Sequence, residues 1–219
     1  MANDLRQFML QILGGSPYDG FDASTYTVDL QSWGSEHPIF EQLMETLRPR
    51  TIIEVGTWKG ASAIRMARKC QDLGLNATLL CIDTWLGSHP ILWTSFRNHL
   101  DLKHGFPQMY YQFLANVVNS GCQGTILPLP MTSLSAAELL RMSQILPDCV
   151  YLDSSHEREE SYLEITRYFS LLRPGGVLFG DDYTPEFKGL VASVNRYAYE
   201  NEICLQIFGE KWMMVKPKQ

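Results

Sequence analysis

From position 49 onward, short apolar runs alternate with stretches whose apolar residues recur at spacings of three and four. That is the pattern of a parallel sheet joined by crossover helices. Residues 51–55, 78–82, 125–129, 149–152 and 176–179 read as strands, and 61–73, 134–145 and 156–172 as the helices between them. In the last of these helices Tyr162, Ile165, Phe169 and Leu172 share one face, and Ser154 with Glu157 forms the S-x-x-E pattern of a capping box. The carboxyl end changes character. A helix over 189–199 precedes two strand-like runs, 203–208 and 212–216, joined by Gly209, Glu210 and Lys211, which reads as an antiparallel hairpin closing the sheet. The expected fold is α/β: a mostly parallel seven-stranded sheet with a C-terminal antiparallel hairpin and helices on both faces. Residues 1–50 read as a helical extension of two helices and a linker, and 86–121 as an insertion placed like a lid.

Composition narrows the class. At 219 residues and 45% hydrophobic, the chain supports one full core, so one domain over 1–219 is expected. Its 18 basic and 24 acidic residues give a net charge of −6, with no basic run to follow a phosphate backbone, which argues against nucleic acid as a partner. The five cysteines are scattered without a CxxC pair, as reduced buried thiols are. The first residues lack the pattern of a signal peptide, and no apolar run reaches membrane-spanning length, so a cytoplasmic protein without a membrane partner is expected.

The chemistry begins at TIIEVGTWKGAS, residues 51–62. A strand ends at Glu54 and Val55, and Gly56-Thr57-Trp58-Lys59-Gly60 turns into a helix. Gly56 permits tight backbone geometry, and Gly60 lets a ligand approach the helix amino terminus. A dinucleotide site prefers G-x-G-x-x-G, whereas here the spacing is G-x-x-x-G after an acid, which suits a cationic amino group better than a pyrophosphate. The segment resembles the first motif of the class I S-adenosylmethionine-dependent methyltransferases, with their Rossmann-like fold. The resemblance implies that Glu54, Gly56, Thr57, Gly60 and Ser62 line the methionine end of the cofactor site. One βα unit later, Asp83 ends a strand, where an acid can accept both ribose hydroxyls or simply form a turn. Trp85 either packs on the adenosine or anchors the insertion. Thr132 and Ser133 follow the third strand, where the family contacts adenine and where such residues also cap helices.

A second constellation lies in VYLDSSH and GDDY. Asp153 and His156 follow the fourth strand, and Asp181 and Asp182 follow the fifth. Neighbouring parallel strands lie ~4.8 Å apart, so the three carboxylates can converge, and converging carboxylates repel unless a cation joins them. Oxygen donors favour a hard ion such as Mg²⁺. The alternative is a solvated Asp-Asp turn and an Asp helix cap. This layout resembles the metal-dependent O-methyltransferases, more closely those that methylate sugar hydroxyls of macrolides than the catechol type. The resemblance implies Asp153, Asp181 and Asp182 as metal ligands, Asp153 close to the cofactor, and His156 as the base in place of the catechol enzymes' Lys. In the first turn of a helix, the local field would lower the His156 pKa and keep it neutral. The expected activity is transfer of a methyl group to a hydroxyl of a small molecule such as a sugar, polyol or natural product. Three rivals stay open: a Rossmann oxidoreductase, which would bind nicotinamide; a non-catalytic binding protein, which would transfer nothing; and a metal-independent methyltransferase, which EDTA would not affect. The aromatic residues of both additions suit a lid or a homo-oligomer interface equally.

Overall fold

A computed structural model describes residues 4–218. The sheet has seven strands: β1 (Thr51–Val55), β2 (Thr78–Asp83), β3 (Ile126–Pro130), β4 (Cys149–Leu152), β5 (Val177–Gly180), β6 (Leu205–Phe208) and β7 (Lys211–Val215). Their order is β3-β2-β1-β4-β5-β7-β6. The first five are parallel, and β7 pairs antiparallel with both β5 and β6, as the apolar pattern predicts. The hairpin turn is two residues rather than three, because Lys211 already pairs with Phe208 and belongs to β7.

Strands buried on both faces send alternate side chains into two separate cores. Ile53, Val55, Leu80, Ile82, Val150 and Leu178 point to one core, shared with α1 (Leu5–Leu13), α6 (Ser133–Ser143), α7 (Arg158–Leu171) and α8 (Lys188–Glu200). Ile52, Leu79, Cys81, Tyr151 and Phe179 point to the other, shared with α2 (Ile39–Leu47), α3 (Ala61–Asp72) and α5 (Met109–Asn119). The residue 86–121 insertion is therefore only partly an addition. Its second half, α5, buries Phe113, Leu114 and Val117 as a core helix, while a short helix α4 (His89–Trp93) and a 3₁₀ turn carry the exposed part.

Helix α7 begins two residues later than its periodicity suggests. Glu157 stands at its amino terminus without a side-chain cap, and Ser154 donates instead to Glu164 (2.7 Å). No capping box forms, and His156 sits in the loop before the helix. The five cysteines are free, four of them buried. Among the described residues, no helix is long and apolar enough to cross a membrane.

Candidate active site

The sheet order reverses between β1 and β4, and in open α/β sheets that crevice at the carboxyl edge is where ligands bind. The glycine turn after β1 and the Asp153 loop after β4 meet there. Gly56 (φ 82°) lies so close that a methyl group on it would collide with the Asp153 carbonyl oxygen, so the tight turn and the acid loop are held as one unit. At Gly60 (φ 87°) a Cβ would lie 2.9 Å from the Phe113 ring, so this glycine admits α5 against the turn.

Glu54 is fully buried and accepts from the Ser62 hydroxyl (2.5 Å). Burial pushes its carboxyl up to about 8, against the Ser62 hydrogen bond, with Asp153 and Asp83 adding to the rise. The Thr57 hydroxyl is buried in the turn with no oxygen or nitrogen partner and only the Cys81 thiol beside it. Asp83 serves the turn itself. Its carboxylate accepts the backbone N–H groups of Thr57 (3.0 Å), Trp58 (2.9 Å) and Trp85 (2.8 Å), two on Oδ2 and one on Oδ1. Trp85 is buried, donates to the Trp58 carbonyl (2.9 Å) and packs against Tyr110 and Phe113. These contacts tie the insertion to the glycine turn. Thr132 stands at the start of α6 with its hydroxyl on Ser135 (2.9 Å), and the Ser133 carbonyl accepts from Tyr168 (2.7 Å), so both help form that helix start.

Asp153, His156, Asp181 and Asp182 do converge. Donor atoms of Asp153, His156 and Asp182 lie within 4.8 Å of one another. The His156 Nε2 is 2.5 Å from Asp182 Oδ2, and because a carboxylate can only accept, Nε2 carries the proton and Nδ1 is left free. The imidazole stacks on Phe187 (4.2 Å between centroids). Gly189, at the start of α8, holds the loop close, since a Cβ there would approach the His156 carbonyl to 2.7 Å. Burial opposes a charge on this imidazole, but the bond to Asp182 and the charges of Asp182, Asp153 and Glu164 outweigh it, so its pKa is raised. The lowering expected from a helix amino terminus does not occur, because His156 is outside the helix and beside a carboxylate.

Asp181 differs from its neighbours. It is buried, its Oδ1 accepts the Asp182 N–H (2.8 Å), and its Oδ2 is ion-paired with Lys211. Lys211 also donates to the Tyr151 hydroxyl (3.2 Å), which in turn reaches Asp153 Oδ2 (3.0 Å). Burial and the charges of Asp181 and Asp182 raise the Asp153 pKa, partly offset by Lys211 and Tyr151. Lys211 and Tyr151 escape notice in the sequence because Lys211 reads as a turn residue and Tyr151 as one more member of an apolar strand. The one signal is a charged residue at the head of an apolar strand, and β7 runs antiparallel, so its first residue arrives at the carboxyl edge of the others.

The linker after α1 lies across this edge. Asp29 pairs with Lys59 (2.5 Å), Gln31 accepts from the Trp58 indole (3.0 Å), and Trp33 packs on Trp58 and Phe96. The fit to an S-adenosylmethionine-type ligand rests on the Thr57 hydroxyl, buried in the turn without an oxygen or nitrogen partner. For a divalent cation, the fit rests on Asp153 and Asp182, two close carboxylates whose mutual repulsion a cation relieves.

Among solved structures, the O-methyltransferase from Bacillus cereus in complex with SAH is 16% identical, with 96% of this chain and 90% of that chain covered and a TM-score of 0.60. TomG from Streptomyces achromogenes, an O-methyltransferase involved in tomaymycin synthesis and solved with SAM, is 15% identical, with 100% and 97% covered and a TM-score of 0.59. The O-methyltransferase NovP is 16% identical over 82% of this chain and 78% of that chain, with a TM-score of 0.60. At these identities the likeness establishes the Rossmann-like methyltransferase fold. No curated protein matches the chain. The family described as Methyltransferase domain matches residues 53–183, from β1 through the acid pair after β5, and to that family the chain belongs.

Proposed function

We propose that the protein is an S-adenosylmethionine-dependent O-methyltransferase acting on a hydroxyl of a small molecule, such as a sugar, polyol or natural product. The observation that carries this reading is the convergence of Asp153, His156 and Asp182 beside the glycine turn. Glu54, Gly56, Thr57, Gly60 and Ser62 shape the methionine end of the donor site, with Glu54 as the acid below it. Asp83 acts there by fixing the Thr57 and Trp58 backbone, and Thr132 and Ser133 border the adenine end. S-adenosylmethionine supplies an electrophilic methyl group. A hard divalent cation such as Mg²⁺, held by Asp153 and Asp182, would lower the pKa of an acceptor hydroxyl.

The chain's own contribution is placement and proton transfer. Asp182 holds His156 by Nε2–H, and Phe187 holds the ring plane, so Nδ1 is presented as the base for the acceptor proton. Tyr151 orients Asp153. The strap bearing Trp33 covers part of the edge through the contacts of that ring with Trp58 and Phe96. The oxidoreductase reading finds no phosphate-gripping G-x-G-x-x-G in the turn.

Calorimetry with S-adenosylhomocysteine, followed by methyl-transfer assays on polyhydroxylated acceptors with and without EDTA, tests this reading. Expected are product binding without metal, turnover that needs a divalent cation, and Asp153→Ala abolishing turnover while sparing product binding. Full turnover in EDTA would remove the cation from the mechanism, and nicotinamide binding in place of S-adenosylhomocysteine would overturn the reading entirely.

A further inference from the structure

The three acids at the site are not equivalent. Asp153 and Asp182 present donor atoms to a shared space with His156, whereas both Asp181 oxygens are already engaged, one by the Asp182 N–H and the other by Lys211. We infer that Lys211 is the resident counter-ion of Asp181 and keeps that carboxylate out of the cation site, leaving Asp153 and Asp182 to hold the ion. The inference rests on the divalent-cation reading above.

The surroundings make the pair permanent. Both side chains are buried, at 2% and 6% exposure. The Lys211 ammonium lies over the rings of Phe40 (5.1 Å to the centroid) and Tyr151 (5.4 Å), so it has aromatic faces rather than water on those sides. From the strap, Gly34 closes the remaining side. A Cβ there would stand 2.8 Å from Asp181 Oδ2 and 2.9 Å from Lys211 Nζ, so the backbone itself seals the pair. The Trp212 indole donates to the Asp181 carbonyl (3.1 Å), which fixes the acid's backbone from the strand that carries Lys211. Through the Tyr151 hydroxyl the same ammonium is linked to Asp153. Affinity for a hard divalent ion rises with the number of carboxylates that reach it. Removing Lys211 therefore frees a third carboxylate and should tighten cation binding, the opposite of what general damage to the site would do.

The test is Mn²⁺ binding to the full chain, read by electron paramagnetic resonance of the free ion, in wild type, Asp153→Asn, Lys211→Met and the double variant Asp181→Asn with Lys211→Met. Expected are loss of binding in Asp153→Asn, binding about tenfold tighter or more in Lys211→Met, and wild-type affinity within about twofold in the double variant. The double variant removes both buried charges together, so it decides the question if Lys211→Met does not fold. Loss of Mn²⁺ in a folded double variant, or weaker binding in Lys211→Met, overturns the inference. If wild type binds no Mn²⁺ but Lys211→Met does, the divalent-cation reading fails while Lys211 is upheld as the cation of the site. If neither binds, both fail.

Discussion

At the scale of single residues, the site holds acids wholly or partly withdrawn from water, and the cost of that placement is measurable. Glu54 keeps its proton to about 8 in the folded chain because burial disfavours the carboxylate, while an unfolded chain releases it near 4.5. The folded state therefore binds the extra proton between those values, and stability falls as pH rises from about 4.5 to 8, by up to about 1.4 kcal/mol per pH unit from this group. Glu54→Gln keeps the shape and the Ser62 contact but cannot ionise. Urea unfolding at pH 5 through 8 should show a shallower loss of stability in the variant than in wild type; parallel curves would mean that Glu54 is ionised in the folded chain throughout. For His156, substitution by Gln should lower kcat by about 10²–10⁴-fold with S-adenosylhomocysteine affinity unchanged, since the role proposed for the ring is proton transfer rather than donor binding. The residues legible in the sequence were those at the ends of parallel strands, Glu54, Asp83, Asp153, Asp181 and Asp182, because strand ends follow from the apolar runs. Their partners were not, because Lys211, Tyr151 and Phe187 come to the site only through sheet register and helix packing. Sequence position alone could not tell that Asp83 serves the backbone of a turn, or that Asp181 is already neutralised.

At the scale of elements, the five parallel strands were legible to within a residue because each is a continuous apolar run buried on both faces. Helix ends were less so. The apolar face of α7 follows its periodicity, but its start is set by Ser154 turning to Glu164 and by α8 packing on the loop through Gly189, which are tertiary contacts. Two substitutions separate fold from site along the sheet. Gly56→Ala meets the Asp153 carbonyl and requires a positive φ, so it should destabilise by about 2–4 kcal/mol and, in whatever remains folded, displace Asp153 and abolish turnover. Asp148 lies at the opposite, amino edge. There it accepts the Arg50 N–H (2.8 Å) and the Thr51 N–H (2.9 Å) and pairs with Arg173. Asp148→Ala leaves those donors unpaired and should cost about 2–4 kcal/mol in chemical denaturation, with kcat unchanged. A matching loss of kcat would mean that the amino edge transmits strain through the sheet to the site.

At the scale of the whole molecule, the site is assembled from parts far apart in the chain, and one side chain joins three of them. Asn116 of α5 is fully buried. Its amide donates to the Asp29 carbonyl (2.6 Å) and the Lys59 carbonyl (2.9 Å), and its Oδ1 accepts the Asp29 N–H (3.0 Å). The strap, the glycine turn and the core helix of the insertion are thus tied at a single amide. The strap also rests on the Asp29–Lys59 pair, but Asp29 is substantially exposed, and an ion pair with one exposed partner holds less firmly than buried hydrogen bonds. Asn116→Ala should therefore release the strap before it unfolds the sheet. Hydrogen exchange across residues 27–37 should quicken about tenfold or more while the amides of β1 and β4 stay protected. S-adenosylhomocysteine should then bind more weakly, because Lys59 belongs to the turn proposed to receive it. If protection of 27–37 is unchanged in the variant, the strap is held by the packing of Trp33 on Trp58 and Phe96, and the amide serves the core alone.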